Sequence, residues 1–106
     1  MTGVMEKEFT IDIALKLKNS KLSYGRFILG SDKDVALEIF RSLKGNRDTV
    51  NTCTLELELI ENVTGFPIPI DILNCTLQEL AENITLLSKE IFRIAQLENG
   101  KIQSLH

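Results

Sequence analysis

An α+β fold with the element order ββαββα is predicted by three observations. The first is that residues 9–18, 22–29, 53–59 and 66–72 alternate apolar with polar side chains, the period-2 signature of strands with one buried and one wet face. The second is that each strand pair is followed by a capped segment of helical periodicity. The third is a repeated tetrapeptide, Glu38-Ile39-Phe40-Arg41 and Glu90-Ile91-Phe92-Arg93, at the same stage of each half. Together they describe a duplicated ββα unit: a four-stranded, mainly antiparallel sheet with two helices packed on one face.

In the first strand Phe9, Ile11, Ile13, Leu15 and Leu17 point one way, and Thr10, Asp12, Ala14, Lys16 and Lys18 the other. Asn19-Ser20-Lys21 supplies turn chemistry, and Leu22–Leu29 returns with Phe27 and Leu29 inward. Ser31 is the expected N-cap of the first helix, followed by acids suited to its positive end. Val35, Ala36, Ile39, Phe40 and Leu43 form its apolar face, and Lys44-Gly45-Asn46 closes it, with Gly45 in a left-handed C′ conformation.

The second half repeats the plan. Cys53, Leu55, Leu57 and Leu59 alternate with Thr54, Glu56 and Glu58, and Asn62-Val63-Thr64-Gly65 forms the turn. In the returning strand Phe66, Ile68, Ile70 and Ile72 alternate with Pro67, Pro69 and Asp71. Thr76 and Glu79 form a capping box for a helix with apolar positions at Leu77, Leu80, Ala81, Ile84, Leu87, Ile91, Ile94 and Ala95, stopped by Asn99-Gly100. Opposite charges on the wet faces, Lys16 and Lys18 on the first strand and Glu56 and Glu58 on the third, favour setting these two strands side by side. Pro67 and Pro69 remove two N–H groups from one lateral side of the fourth strand, which makes it a sheet edge or an extended segment outside the sheet.

The chain has 106 residues, enough for one domain with its own core; the domain is expected over 8–100, with flexible ends at 1–7 and 101–106. An apolar share of 43% excludes disorder. The net charge of −3 argues against a general nucleic-acid binder, although residues 1–50 carry nine basic and seven acidic groups and residues 51–106 three and eight. No acid falls between Asp12 and Asp32, a stretch holding Lys16, Lys18, Lys21 and Arg26. It reads as a solvated hairpin face, with anion contact as the alternative.

Cys53 and Cys75 have the spacing of neither a zinc site nor a redox pair, so no metal and no cofactor is expected, and two free thiols suit a reducing cytoplasm. No secretion signal or membrane span is read, and the Asn-x-Thr triplets at Asn62, Asn74 and Asn83 are accordingly taken as chance. The one histidine, His106, lies beyond the second helix stop, and no phosphate-cradling glycine motif occurs, so the chain is not expected to be an enzyme.

The expected function is a small protein-interaction or homo-oligomeric module. Two surfaces are candidates: the outer side of the second helix, where Leu86 and Leu97 are placed opposite the core stripe, and the edge formed by Phe66, Pro67 and Pro69. The rival reading is a small-ligand or enzymatic pocket between sheet and helices using Tyr24, Arg26 or Asp71.

Overall fold

The computed structural model describes residues 6–46 and 55–99, with side chains through Gln96. The elements follow the expected order: β1 Lys7–Lys16, β2 Lys21–Gly30, α1 Lys33–Arg41, β3 Leu55–Val63, β4 Phe66–Cys75 and α2 Leu77–Asn99. They build one four-stranded sheet in the order β2-β1-β3-β4, with every neighbouring pair antiparallel. The fold is therefore α+β, and β1 and β3 lie side by side at its centre. Because those two strands are antiparallel and each is flanked by its own hairpin partner, a two-fold rotation normal to the sheet carries β1–β2 onto β3–β4. Cys53, His106 and the ends 1–5 and 101–106 lie outside the described residues. Glu6 and Lys7 belong to the framework: Lys7 opens β1, and the Glu6 carbonyl accepts the Thr64 N–H at 2.8 Å.

One face of the sheet makes the core. Phe9, Ile11 and Ile13 of β1, Leu29 of β2, Leu55, Leu57 and Leu59 of β3, and Leu73 and Cys75 of β4 are all buried there. The helices close over them with Ala36, Ile39 and Phe40 of α1, Leu43 just beyond it, and Leu80 and Leu87 of α2. The two helices run antiparallel, because Lys44 beyond α1 meets Glu82 and Asn83 early in α2, while Glu38 and Ser42 face Glu90 and Arg93 later in it.

The cap of α1 is Asp32 rather than Ser31: its carboxylate accepts the Val35 N–H at 3.2 Å, a stronger acceptor one residue closer to the helix. The helix is also shorter than its pattern. It ends at Arg41, with Ser42 as C-cap, and the chain turns sharply so that Asn46 pairs with Asn74 through two backbone bonds of 2.7 and 2.8 Å. Gly45 serves that approach and not a left-handed C′ turn. A Cβ there would lie 2.6 Å from the Asn74 carbonyl oxygen and 2.7 Å from Leu73 Cγ, a fit only glycine allows.

The capping box of α2 is present as expected: Glu79 Oε1 accepts the Thr76 N–H at 3.0 Å, and Thr76 Oγ1 accepts the Glu79 N–H at 3.2 Å. Its buried stripe is rotated from the expected one. Leu77 is 74% exposed and Ala81 is exposed, whereas Asn83 is 1% exposed and Leu86 packs against the core. The cause is Asn83, whose amide accepts the Lys44 N–H at 2.8 Å and donates to the Lys44 carbonyl at 2.9 Å. Turning that amide inward satisfies both backbone groups of the turn after α1 and brings Leu86 in with it.

Candidate functional site

The face of the sheet away from the helices is organised in rows set by the strand register. Ile28, Thr10, Ile60 and Pro69 form one row, then Arg26, Asp12, Glu58 and Ile72, then Ser23, Ala14, Glu56 and Asn74. Tyr24 is the extra residue of a bulge in β2 and is 57% exposed. Arg26 chelates its cross-strand neighbour: Nε and Nη2 each donate to Asp12 at 3.1 Å. Lys21 donates to Glu56 at 2.6 Å and Lys16 to Asn74 at 2.6 Å. β1 and β3 are neighbours as expected, but not through the expected charges: Lys21 of β2 supplies the cation for Glu56, and Lys16 reaches past β3 to Asn74 of β4.

These pairings set the electrostatics. The hydrogen bond to Asp12 holds Arg26 above its ordinary range, and that to Glu56 does the same for Lys21. Glu58 is the exception. Burial pushes its carboxyl above the usual range, Lys21 opposes this, and the like charges of Glu56 and Asp12 add to it. Asp12 lies directly across from Glu58, a like-charge pair at the centre of the sheet.

The rival pocket residues do not meet. Arg26 and Tyr24 lie on β2 and Asp71 on β4, the two opposite edges, about 14 Å apart at the usual strand spacing. Asp71 Oδ1 accepts the N–H of Ile72 at 2.8 Å. Between sheet and helices the space is filled by the apolar core. The Glu-Ile-Phe-Arg copies do come together: Glu38, Ile39 and Ser42 face Glu90 and Arg93 across an open groove of about 300 Å³ between the helices. Arg93 is occupied there by Glu90 of its own helix, at 2.6 Å. Among the described residues no group of three or more His, Cys, Asp or Glu side chains is placed to hold a metal, and no helix is long and apolar enough to cross a membrane.

The edge formed by β4 carries the most exposed apolar side chains of the predicted set. Strand β4 is an edge strand, as its prolines require. A bulge at Ile70 breaks its alternation, so Ile72 turns to the open face, 40% exposed, while Asp71 comes opposite Leu59 on the helix side. Beyond the bulge Phe66 and Ile68 share the helix side with Val63 and Glu61 but extend past the helices, 73% and 47% exposed. The unbroken alternation expected over Phe66–Ile72 is corrected accordingly: Ile72 leaves the side of the sheet that Phe66 and Ile68 share. The same overhang recurs at the tip of the other hairpin, where Leu17 and Leu22 are 52% and 53% exposed.

The outer side of α2 loses Leu86, which is partly buried against the core, and the side chain of Leu97 lies outside the described residues. Phe92 is the exposed aromatic there, at 68%, whereas its counterpart Phe40 is buried. Sequence periodicity missed the facing of Ile72 because a bulge leaves no mark in an apolar run. It missed the exposure of Ile68, Leu17 and Leu22 because alternation does not say how far the helices reach. Asn74 and Asn83 are 4% and 1% exposed, so their Asn-x-Thr triplets are closed to modification in the folded chain. No known family, curated protein or solved structure matches this chain.

Proposed function

We propose that this chain is a small non-catalytic interaction module that self-associates through the apolar corner of β4, formed by Phe66 and Ile68 and stiffened by Pro67 and Pro69. The observation that carries the reading is the exposure of Phe66 and Ile68, 73% and 47%, next to each other on one side of a proline-bounded edge. Two-fold association uses such a patch twice. Burying both side chains on both protomers gives a gross gain of roughly 6–12 kcal/mol, against an association cost of about 4–15 kcal/mol, so the dimer is weak and concentration-dependent. The closed apolar contact between sheet and helices supports a binding surface over a ligand pocket.

Light scattering coupled to size exclusion tests this. The mass should rise from 11.9 kDa toward twice that value with concentration, and the double variant Phe66→Ser/Ile68→Ser should stay monomeric with an unchanged circular dichroism spectrum. A wild-type chain that remains a strict monomer at millimolar concentration overturns the reading.

A further inference from the structure

The two edges of the sheet are treated differently. On β4 the lateral N–H groups facing away from β3 are disposed of one by one. Asn74 bonds Asn46, Ile72 bonds the Asp71 carboxylate, and positions 69 and 67 are prolines. The alternation of antiparallel bonding fixes the other edge from the same starting point. Asn74 faces outward, so Leu73 faces Leu57, Glu58 faces Asp12, and Ile11, Ile13 and Leu15 face Phe27, Gly25 and Leu22 of β2. The backbone groups of Lys21, Ser23, Arg26 and Ile28 therefore point away from the sheet. Among the described residues no backbone pairs with them, and no proline interrupts Lys21–Gly30. The bulge at Tyr24 spaces these four positions by two, three and two residues, a spacing that reads the same from either end.

We propose that β2 pairs with β2 of a second copy of this chain, antiparallel and about a two-fold axis between Tyr24 and Gly25. The spacing of the outward groups selects this occupant. A regular strand presents outward groups at every second residue, so it follows β2 on one side of the bulge and falls out of step on the other. A second copy carries the same bulge at the same place: Ser23 meets Arg26 and Lys21 meets Ile28, each twice, with both members of a pair on the open face. On the helix side Leu22, 53% exposed, comes beside Phe27, which packs against the core. On the open face Ile28 lies along the aliphatic stem of Lys21. Tyr24 meets Gly25, where an added Cβ would have no atom within 4 Å and the ring has room. Charge is complementary in the same register. The exposed Lys18 at the hairpin tip comes alongside Asp32 and Asp34 at the start of the other copy's α1, whose Lys33 is already turned to Glu61. Arg26 and Lys21 face Ser23 and Ile28, so no two like charges stand opposite each other. The product is one continuous sheet bounded on both sides by β4, the edge that cannot extend.

This contact lies on the edge opposite the Phe66–Ile68 corner and does not depend on it. It is the weaker of the two, because backbone pairing exchanges hydrogen bonds to water for hydrogen bonds between chains. The test therefore takes Phe66→Ser/Ile68→Ser, monomeric over the range in which wild type doubles its mass, to millimolar concentration. Light scattering should show its mass rise there toward twice 11.9 kDa. Amide NMR should show slowed exchange at Lys21, Ser23, Arg26 and Ile28. A mixture of isotope-labelled and unlabelled chains, of the variant or of wild type, should show a contact between Leu22 of one copy and Phe27 of the other. Ile28→Pro, which copies onto β2 the proline device of β4, removes one ladder donor per copy and should weaken the dimer roughly tenfold. Lys18→Glu should weaken it at low salt, and Lys18→Glu/Asp34→Lys should restore it, a recovery that a folding defect does not imitate. A strict monomer at millimolar concentration, protection of these amides without the Leu22–Phe27 contact, or a charge exchange that restores nothing would each overturn the proposal. If the corner reading alone fails, variant and wild type gain mass together while the β2 amides are still protected.

Discussion

At the residue scale, two polar side chains show how burial decides sign. Glu58 is half-buried between Asp12 and Ile72 with no cation directly across from it, and burial is the largest cause of its raised pKa. A carboxyl raised above its unfolded value stabilises the fold while protonated, and that contribution is lost as pH climbs through the raised value. The ionised form at neutral pH is therefore a local cost. Glu58→Gln should raise the urea midpoint at pH 7 by the equivalent of about 0.2–1 kcal/mol, with the advantage fading as the pH falls through the raised value and wild-type Glu58 takes up its proton. Asn83 is the opposite case, a fully buried amide whose two hydrogen bonds are both to the Lys44 backbone. Asn83→Ala leaves an N–H and a carbonyl without partners and should cost about 1–3 kcal/mol in equilibrium denaturation. A loss under about 0.5 kcal/mol, the low end for a single hydrogen bond, would mean that water replaces the amide freely.

At the scale of elements, the turn between β3 and β4 holds the sharpest local conflict. It is a two-residue connection, Thr64-Gly65, with φ of 48° and 88°, the left-handed pair of a type I′ turn. Gly65 suits that conformation and a β-branched threonine does not. Thr64→Asn makes the favoured Asn-Gly pair and keeps the N–H that bonds Glu6, so it should stabilise by about 0.5–1 kcal/mol, read as a higher thermal midpoint. Other features of the elements were legible because they are short-range. Alternation placed β1 and β3, the Thr76–Glu79 box started α2, and the two prolines put β4 at an edge. What stayed hidden depends on partners distant in sequence. The early end of α1 follows from Asn46 reaching Asn74, the rotation of α2 from Asn83 reaching Lys44, and the facing of Ile72 from a bulge set against Ile60. The candidate surface follows the same division: the Pro67–Pro69 edge was visible, whereas the exposure of Ile68 and Leu22 depends on where the helix layer stops.

At the scale of the whole molecule, the asymmetry between the edges bears on how an open four-stranded sheet avoids unlimited growth. A sheet with unpaired backbone on both sides can extend in both directions, whereas one blocked edge limits strand-to-strand growth to a single event. Strand β4 supplies that block with Pro67, Pro69, the Asp71 carboxylate and Asn46, and the device matters because the same edge exposes Phe66, Ile68 and Ile72. Apolar side chains beside free backbone donors would make an aggregation-prone strand; without those donors they can meet a partner only through side chains. Replacing both prolines with valine restores two outward N–H groups while adding β-propensity. The Pro67→Val/Pro69→Val variant should fold, since its core contacts are untouched, yet form open-ended oligomers whose size grows with concentration and time. Dynamic light scattering together with the amide I band of intermolecular β-structure would follow this. A variant that never grows beyond the wild-type assembly would show that the prolines serve the shape of the Phe66–Ile68 corner alone and do not guard the edge.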